Sequence, residues 1–249
     1  KGNGNFMKTW NTDGPGTAQF GRIVGVAIDT STNDIYVADQ SKPGYVHKFR
    51  LADPCPADTT QVISGICFVD RWTFGNAPEH PPDPVESVSD VAVDSSTHDV
   101  YVSYYEAYHM EVVPDQYSII KLKGNGSYVG SWGGDAGTGL GQFYSPTGIS
   151  VGSLGRVYVA DTGNARIQAF HIQKFQVSLP CPAGTTLIKF GVCLVTQWGS
   201  SGSGNGQLDH PSDVTVGPLD AYVADTNNNR IQEFRWLDVG GGGGGTSPN

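Results

Sequence analysis

No apolar run in the sequence approaches the roughly 20 residues that a helix needs to cross a bilayer, so no membrane insertion is expected. Positive charge is scarce: 15 Lys and Arg stand against 24 Asp and Glu, for a net charge of -9. No basic cluster interrupts this pattern, and a polyphosphate partner would meet net repulsion, which argues against nucleic acid as a ligand. Also missing are a Ser-His-Asp order, a phosphate-cradling glycine loop, a His-Glu-x-x-His helix and paired catalytic glutamates. No enzymatic activity is expected. From Lys1 onward there is neither a charged n-region nor an apolar h-region, which leaves two readings: a secretion signal has been removed, or the start lies elsewhere.

The four cysteines fall into two pairs of equal spacing, Cys55 with Cys67 and Cys181 with Cys193. Each pair opens in a like setting, Pro54-Cys55-Pro56 and Pro180-Cys181-Pro182. Zinc is the rival reading, but zinc sites usually show close Cys-x-x-Cys or His partners, and no histidine recurs beside these cysteines. Two local disulfides are expected, each closing a loop of about a dozen residues and contributing about 3 kcal/mol by loop entropy. Disulfides persist in oxidising space, so the expected location is extracellular or the cell surface.

What the sequence has in abundance is turn residues, with 34 Gly and 15 Pro, and short alternating β-branched and aromatic stretches. These stretches repeat. A tryptophan closes four matched segments, Phe6-Met7-Lys8-Thr9-Trp10, Phe68 to Trp72, Tyr128 to Trp132 and Leu194 to Trp198, about 60 residues apart. After the tryptophan comes a Gly-x-x-Gln-apolar element in three cases, Gly16 to Phe20, Gly139 to Phe143 and Gly204 to Leu208; the proline-rich Pro78 to Pro84 replaces it in the other. Three strands follow in every repeat. The first are Val24 to Asp29, Ser89 to Asp94, Thr147 to Gly152 and Ser212 to Gly217. The second are Ile35 to Asp39, Val100 to Tyr104, Val157 to Asp161 and Ala221 to Asp225, and the third are Tyr45 to Phe49, Ser118 to Leu122, Arg166 to Phe170 and Arg230 to Phe234.

Four strands per repeat make the blade of an all-β β-propeller, with four blades of four antiparallel strands. The last repeat stops after three strands, near Trp236, while the chain begins with an unaccompanied tryptophan strand. The expectation is therefore that Phe6, Met7, Lys8, Thr9 and Trp10 complete the last blade and cover its open edge. Residues 1–239 then form one propeller, with disulfide-closed hairpin inserts near 54–67 and 180–193, and 240–249 a glycine-rich tail or linker.

The segments Val157-Tyr158-Val159-Ala160-Asp161-Thr162-Gly163-Asn164-Ala165-Arg166-Ile167-Gln168 and Tyr222-Val223-Ala224-Asp225-Thr226-Asn227-Asn228-Asn229-Arg230-Ile231-Gln232 resemble the core of the NHL repeat. The other two repeats resemble it in part, since Tyr45 and Ser118 stand at the arginine position and Tyr104 at the aspartate position. The family more often builds six blades, so the resemblance offers a second arrangement in which this chain is part of a six-bladed propeller. It also includes lyases that amidate peptide ends with a histidine-held metal, yet Gly25, Ser89, Thr147, Ser212 and their neighbours supply no three-histidine set. Its RNA-binding members use a basic face, which this acidic chain does not offer.

Candidate site residues follow from the repeats. Asp161 with Arg166 and Asp225 with Arg230 recur at one place per blade, which points to architecture rather than chemistry. Asp90 and Asp213 hold equivalent places on innermost strands and, across a central channel, would suit Ca2+ or Na+; otherwise no cofactor is expected. Tyr104, Tyr105, Tyr108 and His109 replace the usual Asp turn and form a possible binding loop. Asn125-Gly126-Ser127 is a glycosylation sequon in a turn.

Two functions fit. One is a structural subunit that assembles with other copies of itself, in a filament for example, through the closing strand or the tail, because a strand that closes its own ring can close a neighbour's. The other is a secreted or cell-surface module that binds a protein or a glycan through one propeller face.

Overall fold

The computed structural model describes residues 4, 6–10, 19–41, 43–73, 85–107, 115–173, 180–189 and 191–235. Tyr108, His109 and the tail 240–249 lie outside them. The chain forms four antiparallel sheets, one per repeat. The first holds β1 (Ile23–Asp29), β2 (Asp34–Asp39), β3 (Tyr45–Arg50), β4 (Thr60–Ile63) and β5 (Ile66–Thr73), in the order β1-β2-β3-β5-β4. The second holds β6 (Val85–Asp94), β7 (Asp99–Ala107), β8 (Gln116–Lys123) and β9 (Tyr128–Asp135), in chain order. The third repeats the first, with β10 (Pro146–Val151), β11 (Arg156–Asp161), β12 (Arg166–Ile172), β13 (Thr186–Lys189) and β14 (Val192–Trp198), in the order β10-β11-β12-β14-β13. The fourth has three strands, β15 (Pro211–Val216), β16 (Asp220–Asp225) and β17 (Arg230–Arg235).

Successive sheets pack face to face through the apolar residues of their strands, so the second and third sheets bury both faces. Tyr36, Ala38, Val46 and Trp72 pack against Val91, Val100, Val102 and Leu122 of the second sheet. Tyr101, Ile119 and Trp132 of the second meet Ile149, Val157, Val159 and Phe170 of the third. Tyr158, Ala160 and Ile167 of the third meet Val214, Ala221 and Val223 of the fourth. The innermost strands β1, β6, β10 and β15 pack in that succession. Each has a register shift near its start, at Ile23/Gly25, Val88/Asp90, Pro146/Ile149 and Pro211/Asp213, which bends the strand where it approaches the axis.

The cysteine-bearing inserts are hairpins that add a fifth, outermost strand to the first and third sheets. Thr60 pairs with Phe68 and Thr186 with Leu194. Cys55–Cys67 and Cys181–Cys193 form the two disulfides, with Cα–Cα distances of 5.6 and 5.7 Å. A disulfide in each insert ties the chain entering β4 or β13 to the strand that follows it.

The closing strand departs from expectation. Phe6–Trp10 has no strand pairing, and β17 has no neighbour on its outer edge among the described residues. The segment lies against the first sheet instead. The Trp10 and Phe49 rings are 6.3 Å apart, and Lys8 Nζ donates to the Ser64 carbonyl at 2.8 Å. The physical reason is the apolar face of the first sheet: Trp10 and Phe20 cover Ile35, Val37, Phe49 and Ile66, which have no preceding sheet to cover them.

Candidate assembly interface and channel carboxylates

The repeated Asp–Arg pair is a wiring device. Arg166 Nε donates to Asp161 Oδ2 at 2.7 Å, and its two terminal nitrogens donate to the carbonyls of Thr138, Gly139 and Gln142 and to Gln197 Oε1. Gln168 joins the same loop, donating to the Gln142 carbonyl at 2.8 Å and accepting from the Gly141 N–H at 3.0 Å. One side chain therefore organises the Gly-x-x-Gln element that leads into the sheet. The fourth sheet repeats the arrangement, with Arg230 on Asp225, Ser203, Gly204 and Gln207, and Gln232 beside it. With their donors engaged in this way, neither arginine is placed to act on a substrate. In the first sheet Tyr45 takes the arginine position and stacks under Arg71, 4.4 Å from the ring centre, while buried His47 takes the glutamine position.

Asp90 and Asp213 face a cavity of about 710 Å³ lined by all four inner strands. Glycine alternates with aspartate around it, and the reason is space. A Cβ on Gly148 would sit 2.5 Å from Asp213 Oδ1, and one on Gly25 would overlap Asp90 Oδ1. Asp90 bridges adjacent innermost strands: Oδ2 accepts the Ile149 N–H of β10 at 3.0 Å and Oδ1 accepts its neighbour Val91 N–H at 2.8 Å. Asp213 accepts the Val214 N–H at 2.7 Å. Burial pushes the Asp90 carboxyl up to about 7, with the Asp213 charge adding to the rise, and burial also raises Asp213. Among the described residues no group of three or more His, Cys, Asp or Glu gathers in metal-binding geometry. The chemistry this site supports is stapling of the second sheet to the third through one carboxylate.

The tyrosines of the expected binding loop separate. Strand β7 continues past the turn position to Ala107, so successive side chains alternate faces. Tyr104 is buried among the residues joining the first and second sheets, and this corrects its placement in a binding loop. Tyr105 stacks on Tyr117 at 4.9 Å and donates from its hydroxyl to Asp115 at 3.2 Å. Tyr117 meets half-exposed Tyr144 edge-on at 5.8 Å. Asn125 is exposed at the tip of the β8–β9 hairpin, its side-chain oxygen accepting the Ser127 N–H.

The two ends of the sheet series carry the largest unpartnered faces. Tyr222 is the fourth-sheet counterpart of buried Tyr36, Tyr101 and Tyr158, yet it is 39% exposed, and Ile231, counterpart of fully buried Ile167, is 66% exposed. At the other end Val26 is 68% exposed, whereas its counterparts Val91, Ile149 and Val214 are buried against a preceding sheet. The sequence hid this feature because the repeats read alike; only the stacking order shows which faces have no neighbour.

A family model described as NHL repeat matches residues 143–170, which begin at the end of the wired loop and take in β10, β11 and most of β12. No curated protein matches the chain. Among solved structures, the chain is similar to hydrazine synthase of Kuenenia stuttgartiensis, at 14% identity and a TM-score of 0.54, over 85% of this chain and 58% of that one. It is also similar to a Bacteroides caccae protein of unknown function, at 12% identity and a TM-score of 0.44, over 88% of this chain and 62% of that one. A third is a nidogen/laminin complex, at 12% identity and a TM-score of 0.36, over 86% and 75%. The chain thus spans less than two thirds of the first two. At these identities the likeness shows the fold alone, and one fold hosts many activities.

Proposed function

We propose that this NHL-repeat β-propeller protein is a non-enzymatic extracellular structural subunit that assembles with copies of itself through its two open ends. One observation carries the reading: among the described residues, the fourth sheet presents an unpaired edge at β17 and an exposed face at Tyr222 and Ile231, while the first sheet presents Val26 and Ile28. Bare strand edges and contiguous apolar faces at one end of a molecule are ordinarily paired or covered. The two ends differ from each other, so their union is head-to-tail, the geometry that yields rings or filaments. Two disulfides fit an oxidising location, and the two wired arginines have their donors engaged within their own sheets. Sedimentation of the purified protein over a range of concentrations tests the reading: assemblies growing with concentration support it, and a monomer throughout overturns it.

A second reading has its own observation. Half-exposed Tyr144, on the side where the chain enters β10 and backed by the buried Tyr117 and its partner Tyr105, is an aromatic group of the kind that anchors a protein or stacks on a sugar. Under that reading Tyr144→Ala lowers binding of a soluble glycan panel at least tenfold; unchanged binding removes it.

A further inference from the structure

We infer that Phe6–Trp10 of one copy is the fourth strand of a second copy's last sheet, antiparallel to β17, with Trp10 opposite Ile231, Lys8 opposite Glu233 and Phe6 opposite Phe234. This rests on the self-assembly reading and specifies its contact.

The seat of Trp10 is the first argument. In the three complete junctions, the fourth-strand tryptophan packs onto the following sheet: Trp72 joins the second sheet, Trp132 the third and Trp198 the fourth. Trp132 lies 5.5 Å from Phe170, and Phe143, from the Gly-x-x-Gln element, lies 5.8 Å from that same ring. Trp10 lies 6.3 Å from Phe49, and Phe20, from the matching element, lies 5.8 Å from it. Trp10 thus occupies on the first sheet the place that a preceding sheet's tryptophan occupies on every other. What is missing is the rest of that preceding sheet.

The register is the second argument. Trp72 pairs with Val46, Trp132 with Ile119 and Trp198 with Ile167, all at the second residue of the motif's third strand. Four residues earlier, after a one-residue bulge, Phe68 pairs with Phe49, Tyr128 with Leu122 and Leu194 with Phe170. Transferred to the incomplete sheet, this rule sets Trp10 on Ile231 and Phe6 on Phe234, both apolar, and Thr9 on Gln232. Between them it sets Lys8 on Glu233, opposite charges at the position where Asp70 faces Lys48 in the first sheet. Phe6 and Ile231 are exposed in the single chain, and each gains a neighbour in this pairing.

The occupant is a second copy because the chain's own fourth sheet is elsewhere. It packs on the third sheet, and Val26 and Ile28 of the first sheet stay exposed, as they would not if β15 to β17 of the same chain lay over them. Seating the fourth sheet of another copy there covers Tyr222, Ile231, Val26 and Ile28 together and satisfies the backbone edge of β17.

The test mixes two exposed-site variants, Lys8→Cys in one population and Glu233→Cys in another, under mild oxidation. The expected result is a disulfide-linked dimer in the mixture, increasing with concentration, at least tenfold more abundant than in either variant alone. Charge reversal gives an independent readout: K8E alone and E233K alone assemble several-fold more weakly, and mixing them restores assembly, since each then offers the other an opposite charge. A link that forms within the double variant at high dilution, with none in the mixture, assigns the strand to its own chain and overturns the inference. Assemblies that form without any link or charge dependence overturn the strand contact while leaving self-assembly standing; a monomer in every sample overturns both.

Discussion

The third and fourth sheets are built from nearly the same motif and wired by the same arginine, yet one is sealed and the other bare. Arg166 and Arg230 make matching bonds to their aspartate and to the carbonyls of their own loops, but Ile167 is fully buried and Ile231 two-thirds exposed. The contrast separates two levels of structure. The wiring within a sheet is local, closing between a loop and the strands that follow it, and needs no neighbour. The apolar faces are contracts between sheets, and the last one is unfilled.

Four substitutions sharpen that comparison. The largest effect is expected from Arg166→Ala, which leaves the buried Asp161 carboxylate without its cation and is expected to cost about 3–5 kcal/mol in urea unfolding. Arg230→Ala, with a side chain 28% exposed, should cost about 1–2 kcal/mol. Equal losses would mean that cover by a neighbouring sheet adds nothing to the worth of the wiring. Next, Ile167→Ala opens a cavity between sheets and should cost about 2–4 kcal/mol, while Ile231→Ala at low concentration should stay within about 0.5 kcal/mol of the parent.

A pH-dependent effect is expected at the axis. Burial holds the Asp90 carboxyl at about 7, above its ordinary value of 3.8, so the fold favours its protonated form. Its contribution is full below pH 4 and is lost as pH rises through 7. Burial pushes the His47 imidazole down, which works in the opposite sense as pH falls, so the comparison must be between parent and variant. Between pH 5 and 8 the stability difference of Asp90→Asn relative to the parent should shift in the variant's favour by about 2–3 kcal/mol. A difference that does not change with pH would show that Asp90 titrates normally.

Much of the fold was legible because it is written in short-range pattern. Val157-Tyr158-Val159-Ala160-Asp161 and its counterparts gave strand positions within one or two residues at most ends, and the Cys55–Cys67 and Cys181–Cys193 pairs follow from spacing and setting. Less legible was anything decided by partner choice. Phe6 to Trp10 has the composition of a fourth strand, but composition does not say whether the face of the first sheet or the edge of the last one holds it. Tyr104 looked like a loop residue because it stands where other repeats place the turn aspartate; β7 runs on through it, and alternation turns its ring inward. The partners of Arg166 were invisible for a different reason: they are mostly backbone carbonyls, which no side-chain pattern announces.

The central claim is that the bare face of the last sheet is a contact surface completed by another copy. Sedimentation velocity of the parent beside Ile231→Glu measures it most directly. Concentration-dependent assembly of the parent and a monomeric variant with unchanged unfolding is the expected pair of results. Identical sedimentation of the two proteins, in whatever state, would contradict it.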